Sequence, residues 1–266
     1  MTTITINGTT LHFLERGLPG APAVVLLHGF PLDGRMWRAQ LDALGDHYRV
    51  IVPDHRGFGQ SRSTDPFTME SLADDVHALI EQLGASPVVL GGLSMGGYVA
   101  LAYVRKYSAS LRGLMLVDTR AEADSTEGRE QRGKMIELAR SQGSKAVGEK
   151  MMEKLVSPHT LERRPQIVRE VRAMTDSCPP LTIEHALEAM RDRPDQMAML
   201  PSIATPTLIL VGDADAITPP AVAKGMHAAI PGSECVIVRG AGHMSPMEQP
   251  EQVNGAMEKF LAGVVK

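Results

Sequence analysis

Val88-Val89-Leu90-Gly91-Gly92-Leu93-Ser94-Met95-Gly96-Gly97 is an apolar run broken by glycines around a single hydroxyl, and a helix-forming segment, Tyr98 to Tyr107, follows at once. The pattern reads as strand, sharp turn, helix, with Ser94 at the turn. The inner residues spell G-x-S-x-G (Gly92, Ser94, Gly96), and the spacing has a steric reason. A serine held on a strained bend projects its hydroxyl above the sheet edge, and bulky side chains two residues to either side would strike the flanking strand or helix. The helix begins just behind Ser94, so its free N–H groups and positive dipole end face the place where negative charge would develop. The N–H of Met95 is therefore a candidate oxyanion donor.

Working outward, the alternation of strand and helix continues on both sides. Thr3 to Ile6 and Leu11 to Leu14 flank Asn7-Gly8, a strong hairpin dipeptide. Ala23 to Leu27 is apolar throughout, as strands buried on both faces are, and ends in His28-Gly29-Phe30-Pro31. Gly29 would let backbone approach a ligand there, with the Phe30 N–H pointing at it, whereas His28 can be read as bonding locally. Asp33 to Trp37 leads into a short helix through Leu44, and Tyr48 to Val52 is a further strand. The Asp54-His55-Arg56-Gly57-Phe58-Gly59-Gln60-Ser61 cluster after it reads as a long turn satisfying its own backbone. Met69, Leu72, Val76, Leu79, Ile80 and Leu83 recur at helical spacing between Thr68, an N-cap, and Gly84, a stop. Leu111 to Val117 is one more strand, ending at Asp118.

From about Arg120 to Leu200 charge becomes dense, β-branched runs vanish and apolar residues recur at helical spacing, with breaks at Gly143, Ser157-Pro158, Cys178-Pro179-Pro180 and Arg193-Pro194. This predicts an all-helical insertion over 121–200 between two parts of one core, 1–120 and 201–266. Several of the 16 methionines lie in it; they read as core filler, although flexible thioethers also suit a pocket for varied apolar groups. Thr207 to Val211 resumes the strands and ends in Gly212-Asp213-Ala214-Asp215-Ala216-Ile217-Thr218-Pro219-Pro220, where proline opens a helix. Glu234 to Val238 is the last strand, followed by Gly242-His243 and a final helix from Pro250.

Composition narrows the function. The chain has 266 residues, 43% hydrophobic and 22% charged, with a net charge of −4 and no basic cluster, which argues against a nucleic-acid surface. Cys178 and Cys235 have neither metal-ligand spacing nor the makings of a disulfide framework. With no signal-peptide pattern at the first residues and no membrane-length apolar run, the expected location is the cytoplasm and no membrane partner is expected. No His pair stands four apart around a Glu, which disfavours metal-dependent hydrolysis, and no metal or other cofactor is expected.

In an open parallel sheet, ligands bind beyond the carboxyl ends of the strands. Four unusual segments sit at such ends: His28-Gly29-Phe30, Ser94, Asp213 to Asp215, and His243. Serine needs a base to take its proton, and the base needs a third group to fix its tautomer. Of nine histidines only His28, His55 and His243 lie in loops after strand ends, and His243, beside Gly242, is the best base. Asp215, Asp213 and Asp118 compete for the acid, and the chain order Ser, Asp, His is the one this kind of elbow uses.

With these motifs in place the sequence resembles the α/β-hydrolase superfamily, in the branch of cofactor-free esterases, metal-free haloperoxidases, enol-lactonases and C–C bond hydrolases. The resemblance implies an α/β fold: a mostly parallel eight-stranded sheet with helices on both faces and a helical cap. It implies Asp215 as the acid, from its place in G-x-x-D-x-x-T-P, and the N–H groups of Phe30 and Met95 as the oxyanion hole. Gly29 and Trp37 are expected beside the substrate. The reaction expected is hydrolysis of carboxylic esters of small to medium acyl chain through an acyl-enzyme on Ser94. The substrate would be a small ester or lactone, with enol-lactone or C–C bond hydrolysis by the same triad as the alternative. Haloalkane dehalogenase and epoxide hydrolase chemistry is disfavoured, because those relatives carry Asp where this chain has Ser94. A ligand-sensing protein with an idle triad is the reading from outside enzymology, and turnover separates it.

Overall fold

The computed structural model describes residues 2–265. The elements run β1 (Thr2–Ile6), β2 (Thr9–Arg16), β3 (Ala23–Leu27), α1 (Arg38–Leu44), β4 (Arg49–Pro53), α2 (Met69–Gln82), β5 (Val88–Leu93), α3 (Met95–Tyr107), β6 (Leu111–Val117), α4 (Thr126–Leu155), α5 (Pro158–Arg163), α6 (Pro165–Ser177), α7 (Pro180–Asp192), β7 (Thr207–Gly212), α8 (Pro220–Ala229), β8 (Glu234–Val238), α9 (Ser245–Glu248) and α10 (Pro250–Val264). The eight strands form one sheet in the order β1-β2-β4-β3-β5-β6-β7-β8. Only β1 with β2 and β2 with β4 are antiparallel.

Why the central strands read as unbroken apolar runs is clear from where their side chains go. Val25 and Leu27 of β3, Leu90 of β5, Leu116 of β6 and Ile209 of β7 pack in one layer with residues of α2, α3 and α8. Val24, Leu26, Val89, Met115 and Leu208, which alternate with them, pack in a second layer with α1 and α10. Both faces of each strand are therefore buried, and period-2 alternation of polar and apolar residues disappears.

After β3 the chain goes to β4 on one side, after β5 it goes to β6 on the other, and β3 pairs with β5 so that Leu27 lies opposite Gly92. This is the switch point of the sheet, where the loops after two neighbouring strands diverge and leave a crevice. It puts the His28-Gly29-Phe30 turn next to Ser94.

Between β6 and β7 the chain is helical. Helix α4 breaks at Gly143, whose φ of 78° and ψ of −176° no helix contains, so the predicted break is a kink between two helical arms. Helices α4 to α7 seat on the loops at the carboxyl ends of the strands. The Thr182 hydroxyl donates to the carbonyl of Gly57 at 3.1 Å, His185 meets Phe67 edge-to-face at 6.1 Å, and the Arg193 guanidinium lies 4.0 Å from the ring centroid of Tyr98.

Candidate active site

Ser94 ends β5 with φ 53° and ψ −113°, a backbone conformation that an L-residue keeps only when its surroundings enforce it. The enforcement is steric. A Cβ at Gly92 would come within 2.2 Å of the Gly96 carbonyl oxygen, and one at Gly96 within 2.4 Å of the Leu27 carbonyl oxygen, so strand, turn and helix close on each other only with glycine at both positions. Ser94 occupies the N-cap of α3, yet its side chain makes no capping bond. A serine in that position ordinarily spends its hydroxyl on the helix N–H groups; here the hydroxyl is left for other work. Thr119 supports the bend from β6, its hydroxyl donating to the Ser94 carbonyl at 2.8 Å.

His243 reaches this place from the far strand. The loop after β8 crosses the end of β7, where Ala214 N–H donates to the Ala241 carbonyl at 2.9 Å, and arrives over β6, where the Ser245 hydroxyl binds the Asp118 carboxyl. His243 is 2% exposed and its Nδ1 lies 2.9 Å from Asp215 Oδ2. Both hydrogen bonds of the ring, to Asp215 and at 3.4 Å to the Thr218 hydroxyl, use Nδ1. No bond from the Ser94 hydroxyl to Nε2 is closed, as is common in unliganded sites, where such contacts tighten on substrate binding.

Asp215 is held from every side. Its Oδ1 accepts from the N–H groups of Ile217 at 2.8 Å and Thr218 at 2.9 Å, and its Oδ2 accepts from the Thr218 hydroxyl at 2.6 Å as well as facing His243. Burial alone would raise its pKa, but the His243 charge and these donors outweigh burial and hold it at about 2. An ionised carboxylate only accepts, so Nδ1 of His243 must carry a proton and, in the neutral ring, Nε2 is the free base. Thr218 was not singled out as part of the site by sequence reasoning; its place three residues after Asp215 is the signal, since Asp and Thr at that spacing share a turn.

Linkage gives a pH test. A carboxyl depressed from 3.8 to about 2 stabilises the fold above its unfolded pKa, and the contribution fades as pH falls from about 4 towards 2. The difference corresponds to about 2 kcal/mol. Urea titrations of wild type and Asp215→Asn between pH 5 and 2 are expected to converge at the acid end; parallel curves would contradict this.

The rival carboxylates have other partners. Asp213 is exposed, and its Oδ1 accepts from Gly240 N–H at 2.8 Å, tying the β7 and β8 loops together. Asp118 is fully buried at φ 44°, accepting from Gly212 N–H at 2.8 Å and pairing with the Ser245 hydroxyl. Burial, with the nearby Asp215 charge, pushes its pKa well up. Both its oxygens accept, and neither bonds His243. Asp118→Asn is therefore expected to cost far less in kcat than Asp215→Asn, because neither Asp118 oxygen sets the tautomer of His243; a loss matching that of Asp215→Asn would give Asp118 a direct role.

The predicted oxyanion donors lie on the two loops at the switch point. Among the described residues neither Phe30 N–H nor Met95 N–H enters a backbone hydrogen bond. The Gly29 carbonyl accepts from His28 Nδ1 and from Leu32 N–H, each at 3.0 Å, which fixes the peptide plane that carries the Phe30 N–H. His28 Nε2 in turn accepts from His55 N–H at 3.0 Å, so the neutral Nδ1–H tautomer is required, and burial lowers the His28 pKa in the same direction. Gly29 lies against the elbow, where a Cβ would come 3.4 Å from Ser94 Cβ. Trp37 does not join this group: it is fully buried in the α1 and α10 layer, and its indole N–H has no hydrogen-bond partner.

A strained, uncapped serine at the switch point, a buried His–Asp pair on the loops after β7 and β8, and two loop N–H groups outside the backbone hydrogen bonds all stand at the carboxyl ends of the strands. The model of the alpha/beta hydrolase family matches residues 24–256. The chain belongs to that family. Among similar proteins, the AB hydrolase superfamily protein YisY of Bacillus subtilis is 32% identical, covering 93% of this hydrolase and 94% of YisY. Among solved structures, a thermophilic esterase from Thermogutta terrifontis superposes with a TM-score of 0.93 at 44% identity, over 99% of this chain and 97% of the esterase. The enol-lactonase from Burkholderia xenovorans superposes with a TM-score of 0.92 at 28% identity, over 98% and 100%. No helix among the described residues of the hydrolase is long and apolar enough to cross a membrane.

Proposed function

We propose that this hydrolase is a serine carboxylesterase acting on small-molecule esters of small to medium acyl chain. Ser94 attacks the ester carbonyl, His243 Nε2 takes the hydroxyl proton and returns it to the leaving alcohol, and Asp215 holds the imidazole in its Nδ1–H form. The Phe30 and Met95 N–H groups stabilise the oxyanion, and water releases the acid by the same steps. The observation that carries the reading is the buried bond between His243 Nδ1 and Asp215, at the edge of the sheet where the uncapped Ser94 stands. Support comes also from the Thermogutta esterase, which shares 44% identity over nearly the whole chain.

A second reading, hydrolysis of an enol-lactone by the same three residues, is favoured by the similarity to the Burkholderia enzyme. A substrate panel decides between them: p-nitrophenyl acetate and butyrate, an enol-lactone and a vinylogous diketone, compared by kcat/KM. The esterase reading expects the simple esters to lead. An enol-lactone ahead by two orders of magnitude would transfer the assignment, and stoichiometric binding without turnover of any of them would mark a receptor.

A further inference from the structure

Glu248 is a fully buried carboxylate that the steps above do not use. Its Oε1 accepts from Gly242 N–H at 2.9 Å and from Met244 N–H at 3.3 Å, the residues on either side of His243. Its Oε2 accepts from Ser157 N–H at 2.8 Å, and Ser157 is the N-cap of α5, in the helical insertion. The insertion holds the same residue a second time, because the Arg164 guanidinium, between α5 and α6, donates to the Glu248 carbonyl oxygen. Contact between the two segments is direct: a Cβ at Gly242 would lie 2.4 Å from the Ser157 nitrogen. One side chain thus joins both flanks of His243 to the seat of the insertion.

We propose that Glu248 is a positioning residue that couples the seat of the helical insertion to the imidazole of His243. The proposal rests on the reading of His243 as the base. A buried carboxylate is tolerated only while its lone pairs are filled. If the insertion moves off its seat, Oε2 loses the Ser157 N–H and the side chain must turn to recover a donor. Oε1 then releases the Gly242 and Met244 N–H groups that fix the loop, and Nε2 drifts from the line to Ser94. A seated insertion gives an aligned base.

The test acts on the Ser157 N–H. Ser157 has φ −64°, the value proline imposes, and Val156 before it is extended at φ −120° and ψ 157°, as a residue preceding proline must be. Ser157→Pro therefore suits the backbone, removes the N–H and sets its ring Cδ where Oε2 now sits, so that the Glu248 carboxylate must turn away. Ser157→Ala, which like it loses the hydroxyl cap, is the reference. With p-nitrophenyl acetate, Ser157→Pro is expected to lower kcat to roughly a fifth of that of Ser157→Ala, with KM changed less than about two-fold, because misalignment acts on the chemical step. Glu248→Gln, which cannot accept at all three positions, should lose roughly ten-fold in kcat. In that background the Pro-to-Ala ratio should return to about one, since sites in one network do not add. Equal kcat for the two Ser157 variants in the native background, or a ratio unchanged by Glu248→Gln, would overturn the proposal, as would lowered melting temperatures with kcat intact. If Glu248→Gln does not fold, the Ser157 pair decides alone. Ser94→Ala is assayed alongside: turnover surviving there defeats the triad reading, whereas loss there with equal Ser157 variants defeats only the coupling.

Discussion

Ser94→Ala is expected to lower kcat for p-nitrophenyl butyrate by about 10⁴- to 10⁶-fold while leaving the fold intact, since removing the nucleophile of such a triad abolishes covalent catalysis and spares only binding and oxyanion stabilisation. The size of the effect follows from the position. The hydroxyl caps no helix, so its deletion costs little in hydrogen bonding. Alanine also inherits the positive φ of 53°, a strain that serine already bears. Stability should therefore stay close to wild type while turnover collapses. A circular dichroism melt run beside the kinetic assay separates the two, and turnover within ten-fold of wild type would remove Ser94 from the mechanism.

The second large effect is Asp215→Asn, expected to cost about 10⁴-fold in kcat, the scale seen when a triad acid becomes an amide. The amide oxygen can still accept from Ile217 and Thr218 N–H, so the loop survives. The amide nitrogen then faces His243 Nδ1 and donates to it. Nδ1 becomes the acceptor, the ring proton moves to Nε2, and the base points a proton at the hydroxyl it should deprotonate. Asp215→Asn and Asp118→Asn make the same chemical change at two buried carboxyls. Only Asp215, the one that bonds His243, should set the ring's tautomer.

Much of this was legible in the sequence because it follows from local sterics. The G-x-S-x-G spacing gave the elbow, and the collisions awaiting a Cβ at Gly92 and Gly96 show why. Apolar runs bounded by turn residues gave the strands, since burial on both faces leaves no other composition. The acid was harder: Asp118, Asp213 and Asp215 all follow strands, and only the path of the loop after β8 decides which one meets His243. Glu248 was invisible, because its three N–H partners come from residues 157, 242 and 244, and nothing in the flanking Met247 and Gln249 hints at burial. Trp37, expected beside the substrate, sits on a short helical turn and is fully buried in the layer with α1 and α10.

The central claim, that the Ser94 hydroxyl is the group His243 activates, is tested most directly by phosphonylation. The protein is treated with a p-nitrophenyl alkylphosphonate, digested and mapped by mass spectrometry. One phosphonyl group per chain on Ser94, with labelling slowed by orders of magnitude in His243→Ala, is the predicted result. A label on any other residue that accompanies loss of activity, or labelling of Ser94 at the same rate without His243, would contradict it.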